Sequence, residues 1–151
     1  MPKEPPDEVE LLKLVWHPDD LEGNLVKPTA FTSRDLSGAA GAHVSVDRRD
    51  IARREVMERT ADRQAGNADG VNHKREKALI AVLSCAAVRS VTYQDKPALA
   101  VTPQPIPDND AHCGISNISG VSGRGYLNEV RGKLAVLASP AQTMTDVYGA
   151  T

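Results

Sequence analysis

Three stretches of the chain combine side chains that can do chemistry. The first is Asp108-Asn-Asp-Ala-His-Cys113, which puts carboxylate, imidazole and thiol within six residues. Cysteine–histidine catalysis needs the two side chains to face one another. Neighbours on a strand point to opposite faces, so His112 and Cys113 are not a dyad there. Asp110 and His112 stand two apart and share a face. They form a base–orienter pair, with His112 as the base and Asp110 holding it, and the nucleophile unassigned. The bland alternative is a Pro-Asp-Asn-Asp turn feeding a strand, with His112 or Cys113 buried.

The second stretch is Ser119-Gly-Val-Ser-Gly-Arg-Gly125, between an expected strand and an expected helix. Glycines expose backbone N–H groups, and a helix N-terminus favours anions. Ser119, Gly120, Gly123, Arg124 and Gly125 are therefore candidate ligands for an anionic group. The spacing is neither that of a dinucleotide fingerprint nor that of a P-loop. A plain β–α connection explains the same residues. The third stretch is an arginine-rich segment. Arg48, Arg49, Arg53, Arg54, Arg59 and Arg63 face Asp47, Asp50, Glu55, Glu58 and Asp62. Phosphate binding is one use. A solvated, salt-bridged helix face is the other.

His17-Pro-Asp-Asp20, with Gly23 beyond it, resembles the metal-binding string of the PIG-L/LmbE-type zinc deacetylases. The resemblance implies His17 and Asp20 as ligands and Asp19 as base. It covers four residues, and the later H-x-x-H that completes such a site is absent from this sequence. His43, His73 and His112 are scattered, whereas a zinc site needs three converging ligands. The reading kept here is a proline turn capped by its aspartates, with no metal ligand and no cofactor assigned.

Composition narrows the classes further. The chain has 151 residues, with 18 Lys and Arg against 20 Asp and Glu, for a net charge of −2. That balance argues against an electrostatic nucleic-acid binder. Nineteen alanines and fifteen valines outnumber twelve leucines and five isoleucines, so the core is built of small pieces. The aromatics are Trp16, Phe31, Tyr93, Tyr126 and Tyr148, too few for a base-stacking platform. No apolar run approaches the roughly 18 residues of a membrane span. The N-terminus lacks a charged-then-apolar leader, so a cytoplasmic, bacterial-type protein is expected. Cys85 and Cys113 are neither a disulfide framework nor a C-x-x-C metal pair.

The elements that must position these residues are read from pattern. Residues 1–10 are rich in proline and acid and read as a disordered lead-in, with a single domain over 11–151. Strands are expected at 11–16, 43–47, 88–93, 98–102 and 112–118, with 88–93 and 98–102 forming a hairpin. Helices are expected at 47–64, 73–87 and 126–138. The stripe of Ala78, Leu79, Val82, Leu83, Ala86 and Ala87 marks the second as a buried helix lying across the sheet. The fold class is α+β, a small, mostly antiparallel sheet with about three helices.

The order of these features resembles a group of short bacterial proteins of unknown function. The matching residues are Pro28-Thr-Ala-Phe31, Leu36-Ser with Val44-Ser-Val46, and Pro105-Ile-Pro-Asp-Asn-Asp-Ala-His112 with Ile115. Gly38 to Gly41 split the middle element. The resemblance implies no activity, but it implies that Phe31, Asn109 and His112 belong to one unit. Two functional readings follow. One is a non-enzymatic interaction or accessory protein of a bacterial multi-gene system, acting through a protein partner or self-association. The other is a small enzyme or anion-binding domain whose pocket gathers Asp110, His112 and the 119–125 loop.

Overall fold

The computed structural model describes residues 3–66 and 77–149. Five strands form the central sheet: β1 (Glu10–Trp16), β4 (Val44–Arg48), β5 (Ala78–Ser84), β8 (Leu99–Pro103) and β9 (His112–Asn117). Their order is β5-β1-β4-β9-β8, and every pairing is antiparallel. Two hairpins are separate from it: β2 (Leu21–Glu22) with β3 (Leu25–Val26), and β6 (Thr92–Tyr93) with β7 (Lys96–Pro97). The helices are α1 (Arg54–Gly66), α2 (Cys85–Arg89), α3 (Arg124–Ala138) and α4 (Met144–Tyr148). The α+β class and the antiparallel sheet thus stand as expected.

Both faces of the sheet are covered, which is why the inner strand β1 carries apolar side chains on both. In β1, Leu11 and Val15 point to one face and Leu12, Leu14 and Trp16 to the other. The first face packs on α2 and α3 through Val88, Tyr126, Val130 and Leu134. The second packs on α1 and α4 through Met57, Ala61 and Val147. Lys13 shares the first face, its Nζ 5.7 Å from the Phe31 ring centre, and burial lowers its pKa against the pull of Asp20 and Asp35.

Three expectations change. The buried helix expected over 73–87 is strand β5 followed by the short helix α2; residues 73–76 lie outside the described part. β5 is apolar on both faces, with Leu79, Ala81 and Leu83 on one and Ala78, Ile80 and Val82 on the other. Such a run satisfies a helical stripe and a strand alternation equally. Tertiary pairing decides it: β5 matches β1 along seven residues, from Glu10 opposite Ser84 to Trp16 opposite Ala78. Ser84 then caps α2, its Oγ accepting from Ala87 N. The first helix begins at Arg54, because Asp47 and Arg48 are held in β4 by pairing with β9 and β1. The 88–93 segment joins no central strand; it is the end of α2 and the first arm of a small hairpin.

The lead-in also has structure. Pro5 and Val9 are buried. Asp7 pairs with Arg89 at 2.8 Å, and its carbonyl accepts from Ala86 N at 3.2 Å.

Candidate functional site

The structure separates the residues that the sequence suggested as one pocket. Asp110 lines a cavity of about 400 Å³ with Arg53, Asp108 and Asn109. His112 lines a different one, of about 150 Å³. The 119–125 loop follows the far end of β9 from His112, roughly 15 Å away at strand rise. Asn117 closes that loop on itself: its Oδ1 accepts from Ser119 N and Oγ, and its Nδ2 donates to Leu36 O and Val121 O. Gly123 begins α3 with no side-chain cap. Ser119 and Gly120 therefore serve a turn whose hydrogen bonds are largely internal, and Arg124 and Gly125 open α3.

The string at 17–20 is a turn. Asp20 Oδ2 accepts from Trp16 N at 2.9 Å, and Asp20 N returns a bond to Trp16 O. Among the described residues, no three of His, Cys, Asp and Glu gather as metal ligands. Three of the six arginines of the arginine-rich segment pair with acids: Arg48 forks onto Asp50, Arg49 pairs with Glu10 at 2.7 Å, and Arg54 meets Glu58 at 3.9 Å. Cys113 is buried on the opposite face of β9 from His112, and burial pushes its thiol up to about 11.

What His112 does meet comes from strand pairing. In the register of β4 and β9, Asp47 stands opposite His112 and Ser45 opposite Gly114. Ser45 and Asp47 share one face of β4, and His43, just before the strand, continues the same every-second-residue alternation. The alternation over 43–47 marks a strand. The polar members of the same alternation were the signal for a site.

Asp47 is 4% exposed, and Asn109 is 5% exposed. Asn109 Nδ2 donates to Asp47 Oδ1 at 2.8 Å, and its Oδ1 accepts from Ala111 N at 3.1 Å. Burial raises the Asp47 pKa, with the Asn109 bond and the charges of His112 and Arg63 pulling the other way. The pocket beside this pair is walled by Ser45, Thr60, Arg63, Gln64 and His112. Gln64 is held by Trp16, whose Nε1 donates to its Oε1 at 3.0 Å. Phe31, expected in one unit with Asn109 and His112, belongs instead to the core on the opposite face.

A second surface feature is apolar. A groove of about 550 Å³ runs between α2 and α3, lined by Ala87, Val91, Gly132, Val136 and Leu137. Val136 is 76% exposed at its rim. Lys133 donates to Thr92 O and to Glu129, which fixes the β6–β7 hairpin beside the groove.

Comparison of the chain with protein-family models, with curated proteins and with solved structures returned no match. Among the described residues, no helix is long and apolar enough to cross a membrane.

Proposed function

We propose that this chain is a non-enzymatic interaction protein, an accessory subunit that works by docking, and that the α2–α3 groove is its contact surface. The observation that carries this reading is the pairing of an apolar groove with an exposed apolar knob, Val136, on the same helix. The first occupant is a second copy of the chain. Groove and knob on one surface are self-complementary, as a two-fold interface requires. Gly132 supports close approach. It sits mid-helix with nothing near the position a Cβ would take, at a cost of roughly 1 kcal/mol against alanine. With two α3 helices antiparallel, each Val136 seats over the Gly132 of the other. Glu129 and Lys133 supply both signs of charge at the rim, so two copies meet without net repulsion. One helix pair buries little area, at the low end of specific interfaces, so the dimer is concentration-dependent.

Sedimentation velocity from low micromolar to submillimolar concentration tests this. The wild type is expected to shift from monomer to dimer, and Val136→Glu to stay monomeric with unchanged circular dichroism. A monomer at every concentration removes self-association. Capture from the native host then tests docking itself: a partner lost with Val136→Glu but kept with His112→Ala retains the reading, and a partner set identical in both variants removes it.

A second reading is favoured by the polar pocket beside Asp47 and His112. It is a small-ligand site that keeps His112 from the set expected from sequence, with Ser45, Asp47 and Asn109 in place of Asp110 and the loop.

A further inference from the structure

The polar face of β4 and β9 holds two imidazoles side by side. The rings of His43 and His112 lie with centroids 5.6 Å apart and planes at 71°. Each is held in the same way: His43 Nδ1 lies 2.9 Å from Gly41 O, and His112 Nδ1 lies 2.7 Å from Gln104 O. A carbonyl accepts only from N–H, so Nδ1 carries the proton in both rings. The neutral tautomer then leaves each Nε2 lone pair available. This is the arrangement by which backbone carbonyls orient metal-ligating histidines.

Gly114 makes the pair possible. A Cβ there would stand 2.8 Å from both Cβ and Cγ of His43, so only glycine lets the His43 side chain lie on the sheet beside His112. Position 114 has no positive φ to require glycine, and the close approach of His43 is what the residue serves. Among the described residues, neither Nε2 has a hydrogen-bond partner. An ion bonded at about 2.0–2.1 Å to two imidazoles in tetrahedral array holds the ring centroids roughly 5 Å apart, close to the spacing found. Asp47, opposite His112 across the strands, favours a cation, and Arg63, which lines the same pocket as His112, opposes it.

We propose that His43 and His112 form a two-imidazole chelate for a borderline divalent metal ion, of the Zn²⁺, Ni²⁺ and Cu²⁺ class that imidazole suits. No third His, Cys, Asp or Glu of the described residues joins them, so the remaining positions go to water. That makes an open, exchangeable site and not a closed structural one. The Ser45 hydroxyl lies on the same strand face, opposite Gly114, and is of the type to hydrogen-bond such a water. The inference is independent of the α2–α3 groove.

The experiment is titration of the full chain with Zn²⁺ in competition with a chromophoric chelator, followed by electron paramagnetic resonance of the Cu²⁺-loaded protein. The expected result is one Zn²⁺ per chain and a Cu²⁺ signal split by two nitrogens. His43→Gln and His112→Gln should each weaken binding at least about tenfold, as much as loss of a supporting group costs at known sites, and reduce the splitting to one nitrogen. His17→Ala, at the turn after β1, should change neither. Circular dichroism shows whether each variant folds. If His43→Gln does not, Gly114→Ala displaces the same ring and is read in its place. Binding that survives both glutamine variants, or no binding below millimolar Zn²⁺, overturns the proposal.

Discussion

Asp47 is where the fold carries an electrostatic cost that Asn109, His112 and Arg63 offset in part. A carboxylate taken out of water prefers its neutral form, and burial is the largest influence raising the Asp47 pKa. A pKa higher in the folded than in the unfolded state means that the folded state binds the proton more tightly. The stabilisation is fully present below the ordinary carboxylate pKa and is lost as pH rises through the folded value. Asp47→Asn keeps an oxygen for Asn109 Nδ2 and removes the charge. Urea unfolding from pH 4 to pH 7.5 should therefore show Asp47→Asn with a flatter profile than wild type and its largest gain at the neutral end. An unchanged slope would remove Asp47 as the source. Asn109→Ala is the harsher change. It strands the carboxylate and Ala111 N together, at a cost of roughly 2–4 kcal/mol.

At the scale of elements, the smallest hairpin is the one most open to improvement. β6 and β7 are joined by Gln94 and Asp95, both left-handed, at φ 52° and 63°. A two-residue loop of this hand suits Asn-Gly, because side chains with a Cβ are strained there. Gln94→Asn with Asp95→Gly should gain about 0.5–1 kcal/mol, a rise of roughly 1–4 °C in Tm by calorimetry. No gain would mean that the Tyr93–Tyr126 edge contact, at 5.3 Å, and not the turn, sets the hairpin's stability. These elements also show what a sequence can disclose. β4, β8, β9 and α3 were legible because polar and apolar residues alternate at one period. β5 was not, since a strand buried on both faces has no polar side to count, and only its pairing with β1 distinguishes it from a helix. Of the polar pocket, His112 stands out by type, and Asn109 enters only through the resemblance. Asp47 reaches Asn109 from 62 residues earlier, through strand register, which no local pattern encodes. His43 needs Gly114 in the same way, across the sheet.

For the whole molecule, the passage from β5 into α2 is a junction between the sheet and the helices packed against it. Residues 3–9 cover it. Cys85 N donates to Val9 O at 3.1 Å, and the Cys85 thiol faces Pro5 O at 3.8 Å. Lys3 O accepts from Arg48, which ties the segment to β4 as well. Acidic and proline-rich sequence reads as disordered because it buries little on its own. Here it is ordered by what it lies against. Burial raises the Cys85 thiol pKa, so with the segment in place the thiol is both covered and protonated at neutral pH, and a protonated thiol is a poor nucleophile. Removal of residues 1–9 should therefore do two things together. It should lower Tm by roughly 4–10 °C, from lost hydrogen bonds and the lost burial of Val9. It should also bring one thiol per chain, Cys85, into rapid reaction with an aromatic disulfide reagent, while Cys113, enclosed in the central sheet, stays slow. Cys85→Ser in the shortened chain should abolish the fast phase. A shortened chain with the wild-type Tm and no fast thiol would show that the sheet and α2 close this junction without the segment. A fast thiol in the intact chain would show that the segment does not cover it.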